Sequence, residues 1–90
     1  MSIKIGITSY LQPYTNYKEV VEVNGNTVGE CLNHLVKQFP DMETRLFEQS
    51  GNLHDYVSIY INGKDAYPDE LAKPVKDGDE LYILYIIAGG

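Results

Sequence analysis

Few residues in this 90-residue chain have types and spacing suited to chemistry, and the most unusual are its last two, Gly89 and Gly90. Glycine makes up about 7% of average usage, so two glycines end a chain by chance in roughly 0.5% of cases. Without a Cβ, a Gly-Gly tail can extend, turn and enter a channel where any other residue would clash. The group such a tail delivers is the terminal α-carboxylate of Gly90. A carboxylate is a poor electrophile, but coupled to AMP from ATP it becomes an acyl adenylate that sulfide, persulfide or an amine can attack. The plainer alternative is a frayed terminus.

Elsewhere the reactive inventory is thin. His34 and His54 are far apart, and neither sits in an HxxH, HExxH or Cys/His cluster, so the spacing predicts no metal site. His34 is expected to be a solvated helix residue. Cys31 lies three residues before it, within reach on one helix. Yet Cys31 occupies the apolar stripe, where cysteine is normally an inert small hydrophobe. Asp77, Asp79 and Glu80 surround Gly78 and read as a solvated turn rather than as paired acid and base. No GxxxxGKS/T or GxGxxG phosphate loop occurs. The eight tyrosines fall mostly in strands and the first loop, where a half-buried tyrosine is ordinary. The chain is therefore expected not to be an enzyme by itself.

The elements that must position the tail follow from periodicity. Ile3, Ile5 and Ile7 alternate with Lys4, Gly6 and Thr8, a strand with one buried face. A turn region with Pro13 and Asn16 leads to a second strand, KEVVEV. Thr27 and Glu30 have capping-box spacing, and Val28, Cys31, Leu32, Leu35, Val36 and Phe39 form one helical stripe that Pro40 ends. A short irregular helix anchored by Met42, Leu46 and Phe47 is expected to close at Gly51. DYVSIYING is a strand entering an Asn62-Gly63 hairpin turn, and Pro68 limits the return arm to a short edge piece. After an Asp-Gly turn, Leu81 to Ile87 is apolar on both faces, which suits a central strand. The order β-β-α-β-(β)-β predicts a small α+β fold of one domain, residues 1–90, with a flexible tail at 88–90.

The net charge is −6, from 13 acidic and 7 basic residues. That opposes binding to nucleic acid and to anionic membranes, and suits a basic partner protein. One cysteine permits no internal disulfide. The first residues lack the apolar core of a signal peptide, and no run approaches the roughly 18 apolar residues that span a bilayer. The expectation is a cytoplasmic protein that is a monomer when free.

The KDGDEL turn, the apolar strand and the final AGG resemble the end of the ubiquitin-like sulfur carriers of the MoaD/ThiS type. The element order resembles their β-grasp fold, in which the last strand lies centrally beside the first. TVGECLNHL, RLFEQSGNLHDYVSIYING and LAKPVKDGDELYIL resemble more closely the carriers that supply sulfur for cysteine biosynthesis, the CysO type. The resemblance implies that an E1-like enzyme adenylates Gly90 at the end of an Ala88-Gly89-Gly90 tail and that sulfur replaces AMP to leave a thiocarboxylate. It implies no cofactor on this chain: ATP and Mg²⁺ belong to the activating enzyme, and PLP to a cysteine synthase-like acceptor. It also implies that Tyr82, Leu84, Tyr85 and Ile86 form the partner interface, the outward row being Tyr82, Leu84 and Ile86 if Leu81 and Ile83 face the helix. Ordinary cross-strand packing is the alternative for that row. The chain departs from the pattern at Tyr85, where such tails commonly carry proline. Two other functions stay open: the small subunit of molybdopterin synthase, and a ubiquitin-type modifier joined to lysines through Gly90.

Overall fold

A computed structural model describes residues 2–86. The expected alternation builds the first hairpin: β1 (Ile3–Ile7) buries its three isoleucines and pairs antiparallel with β2 (Val20–Val23), Ile5 opposite Val21. The connection is more ordered than a turn. Ser9–Thr15 forms a 3₁₀ helix that buries Leu11 and Thr15, and the Thr15 hydroxyl lies 3.0 Å from the Lys18 carbonyl. With only Leu11 and Thr15 turned inward, this segment carries no apolar period for a sequence reading to detect.

α1 (Val28–Gln38) starts as its cap predicts. The Thr27 hydroxyl accepts the Glu30 N–H at 3.1 Å, and the Glu30 carboxylate reaches back to the Asn26 N–H at 2.8 Å, one residue earlier than in the standard box. Val28, Cys31, Leu32 and Leu35 are buried, with Val36 and Phe39 packed at the margin. A 3₁₀ turn (Pro40–Met42) runs into the one-turn α2 (Glu43–Leu46), so the short helix ends before the expected Gly51. Gly51, at φ +95°, instead serves the turn between the bridged pair Phe47 and Leu53.

β3 (Val57–Ile61) meets β4 (Lys64–Asp65) through Asn62 and Gly63, both at positive φ as a tight hairpin requires. β5 (Glu80–Tyr85) completes the sheet in the order β2-β1-β5-β3-β4. It runs parallel to β1, with Ile5 beside Leu81, and antiparallel to β3, with Ile59 beside Ile83. The last strand is therefore central and next to the first, as expected. Its described part ends at Tyr85 rather than Ile87, although the Ile86 N–H still bonds the Tyr56 carbonyl at 2.7 Å. Ile87, Ala88, Gly89 and Gly90 lie outside the described residues.

The core lies between one sheet face and the helices. Ile5, Ile59 and Ile83 from the sheet, with Leu32, Leu35, Met42 and Leu46 from the helical side, are fully shielded. Burial of one such side chain stabilises by roughly 1.5–3 kcal/mol, which is how a small domain holds a central strand firmly.

Candidate functional site: the root of the C-terminal tail

Because β5 is hydrogen-bonded on both edges, its side chains divide strictly between two faces. Leu81 and Ile83 are buried against the helices, and Tyr82 is exposed on the outer face with Leu84 half-buried beside it. Tyr82 covers Gly6 of β1, where a Cβ would come within 2.6 Å of its ring. Ile86, past the last strand residue, is 53% exposed.

Tyr85 does not share that outer row. It follows Leu81 and Ile83 onto the helix side, where its hydroxyl donates to the Arg45 carbonyl at 2.6 Å. Its ring meets Tyr56 edge-on at 5.0 Å and lies 5.6 Å from Tyr10. Burial pushes its phenol pKa up to about 12, Tyr56 adding to the rise. His54 stacks on Tyr56 at 4.8 Å and has Nε2 2.9 Å from the Thr44 carbonyl. Arg45 lays its guanidinium over the Tyr14 ring at 4.2 Å. Residues from four separate stretches thus converge where β5 ends, and Tyr10, Tyr14, Arg45 and Tyr56 could not be grouped from the sequence. The one signal was the number of tyrosines.

The other candidate chemistry resolves into structural roles. Cys31 is fully buried, and burial, with Glu30 beside it, pushes its thiol pKa up, away from the reactive thiolate. His34 is not a purely solvated residue: its Nδ1 accepts the Asn24 N–H at 2.8 Å and ties the loop before α1 to the helix. Asp79 departs from the expected solvated turn as well. It is nearly buried, accepting the Lys76 N–H at 2.9 Å and the Asn62 side-chain amide at 3.1 Å, with Lys76 Nζ at 3.8 Å. The Lys76 backbone bond first, and then Asn62, hold its carboxyl below the usual carboxylate range. Asn62 also accepts the Glu80 N–H at 2.9 Å, so this cluster fixes where β5 begins. Among the described residues no group of His, Cys, Asp and Glu is arranged to hold a metal ion, and no helix is long and apolar enough to cross a membrane.

A mixed sheet with the last strand between the first and third, and one main helix across it, is the ubiquitin-like β-grasp. The pattern of the ThiS family matches residues 7–90. This chain belongs to the ThiS family. The sulfur carrier protein CysO of Mycobacterium tuberculosis is 33% identical over 93 residues, covering all of both chains. Small archaeal modifier protein 1 of Haloferax volcanii is 37% identical over 71 residues, 78% of each chain. Among solved structures, a chain of the Amycolatopsis orientalis BexX/CysO complex superposes with a TM-score of 0.88 at 31% identity, covering 98% of this chain and 99% of that one. The matched segment runs to Gly90 and so includes the Gly89-Gly90 pair, which follows Tyr85 in sequence.

Proposed function

We propose that this chain is a sulfur carrier whose working group is the Gly90 carboxylate. One observation carries the reading: β5, paired on both edges, leads directly toward Ala88-Gly89-Gly90 in a chain that matches a sulfur carrier protein along its whole length. A strand held on both edges supplies a rigid base for a thin tail, while the absence of side chains on Gly89 and Gly90 lets that tail enter a narrow site.

In this reading an E1-like adenylating enzyme supplies ATP and Mg²⁺. A Gly90 carboxylate oxygen attacks the α-phosphorus and pyrophosphate leaves. Sulfide then attacks the acyl carbon and AMP leaves, giving a thiocarboxylate. A persulfide attacking there gives an acyl persulfide, whose S–S bond a thiol of the sulfur-delivering protein cleaves to release the thiocarboxylate and form a disulfide. A synthase takes the sulfur; the resemblance to CysO-type carriers suggests a PLP-dependent, cysteine-forming one. This chain needs no cofactor of its own for these steps. The Haloferax modifier favours a second reading, in which the adenylated Gly90 is passed to lysine amines.

Intact-mass measurement after incubation with ATP, Mg²⁺, the activating enzyme and a sulfur source separates the readings. Replacement of one carboxylate oxygen by sulfur supports the carrier. Lysine adducts on other proteins support the modifier, and a stable complex with a molybdopterin synthase large subunit supports the synthase subunit. Full sulfur transfer by a chain lacking Gly90 overturns the carrier reading.

A further inference from the structure

Beside the root of the tail lies a cavity of about 430 Å³, lined by Tyr10, Tyr14, Arg45, Tyr56, Tyr85 and Ile86 among others. Its composition is that of a protein–protein hot spot, in which tyrosine and arginine dominate and clustered aromatics exclude water. Its charge is opposite to that of the molecule. The chain carries −6 overall, yet no Asp or Glu lines this cavity and its one charged group is Arg45. The single ion pair among the described residues is Lys76–Asp79, so Arg45 has no carboxylate partner there. Its guanidinium rests on the Tyr14 ring, which fixes the planar fork while leaving its N–H donors available.

The other cavity that Ile86 lines differs in charge. This larger groove, of about 710 Å³, carries Asp55, Asp65, Asp69 and Glu70. An acidic side chain approaching the tail root is repelled at that groove and attracted at the tyrosine-lined cavity. Such asymmetry fixes the orientation of a docked surface more than it adds raw affinity.

We propose that the Tyr10–Tyr14–Arg45–Tyr56 cavity is a socket for an Asp or Glu side chain presented by the enzyme that activates the tail. The carboxylate takes the guanidinium fork while the tyrosine rings shield the pair from water. This rests on the carrier reading, since it is the activating enzyme that must grip the chain next to Tyr85 and Ile86. The backbone carbonyl of Arg45 receives the Tyr85 hydroxyl, so the residue that holds the partner also holds the end of β5.

The test is calorimetric titration of the activating enzyme with wild type, Arg45→Gln, Arg45→Glu and Arg45→Lys, each first checked for unchanged thermal unfolding. The carbonyl that bonds Tyr85 is backbone and survives every substitution. Arg45→Gln and Arg45→Glu are expected to weaken binding about ten- to a hundredfold, the range for a hydrogen-bonded charged group. Arg45→Lys should lose less, and an Asp- or Glu-to-Lys change at the contacting enzyme residue should restore Arg45→Glu. Unchanged affinity of folded Arg45→Glu overturns the socket, as does self-association of the wild-type chain that Arg45→Glu abolishes. Failure of the carrier reading shows separately, as sulfur transfer that survives deletion of Gly90.

Discussion

Tyr85 and Arg45, separated by 40 residues in sequence, are joined by a 2.6 Å hydrogen bond from the phenol hydroxyl to the backbone carbonyl. The bond ties the end of the central strand to the short helix α2. Tyr85→Phe keeps the ring contacts and removes only this bond, at an expected cost of about 1 kcal/mol. The pH dependence follows from the raised phenol pKa. Because it is near 12 in the folded chain against 10.0 unfolded, the neutral phenol's stabilising contribution is full below pH 10 and is lost as pH rises through 12. Urea titrations across that window should show wild-type stability falling faster than that of Tyr85→Phe. Parallel curves would exclude this role.

Asp79 works in the opposite direction. Its folded pKa lies below the ordinary 3.8, so its contribution is present above that value and disappears as pH falls through the folded pKa. Asp79→Asn should be less stable than wild type at pH 7, and the gap should close below about pH 4. Acid unfolding followed by circular dichroism checks this, and a gap that persists at pH 2 would assign the loss to packing.

Two glycines test close packing at sites of different rigidity. A Cβ on Gly25 would lie 2.8 Å from the Cys31 backbone nitrogen and 2.9 Å from its sulfur, within the first turn of α1. Helix backbone cannot step aside, so Gly25→Ala should cost about 1–3 kcal/mol. At Gly6 the atom met, at 2.6 Å, belongs to the Tyr82 ring, which is 42% exposed and can swing outward. Gly6→Ala should therefore cost less than about 1 kcal/mol, part of the clash being offset by reduced unfolded-chain entropy. Denaturant midpoints of the two variants give the ranking.

Leu84 sits half-buried on the outer face of β5, next to exposed Tyr82. If this face docks the activating enzyme, Leu84→Glu should raise the KM for adenylation at least tenfold with little change in unfolding temperature, because the added carboxylate must be desolvated at the contact. Unchanged steady-state kinetics would remove Leu84 from the interface.

The sequence alone determined the elements whose cause is local. Ile3, Ile5 and Ile7 announce a one-faced strand, Thr27 and Glu30 a helix start, and Asn62-Gly63 a hairpin, because alternation, capping and positive φ are properties of neighbouring residues. The apolar run from Leu81 foretold a central strand, paired on both edges, although its outer face is left open at Tyr82 and Ile86. It also displayed Gly89-Gly90, a signal of composition and place. What tertiary structure decided are the roles set by distant partners. Asp79 looks like any turn carboxylate until Asn62 closes on it, and His34 looks solvated until the Asn24 N–H meets it. Alternation sets Tyr85 on the face opposite Tyr82 and Leu84, but its bond to Arg45 could not be read until α2 was seen packed beside the end of β5. Hydrogen bonds and ring contacts across tens of residues leave no period in the chain, so only the folded sheet, by bringing residues 10, 14, 45, 56 and 85 to one end, reveals what surrounds the base of the tail.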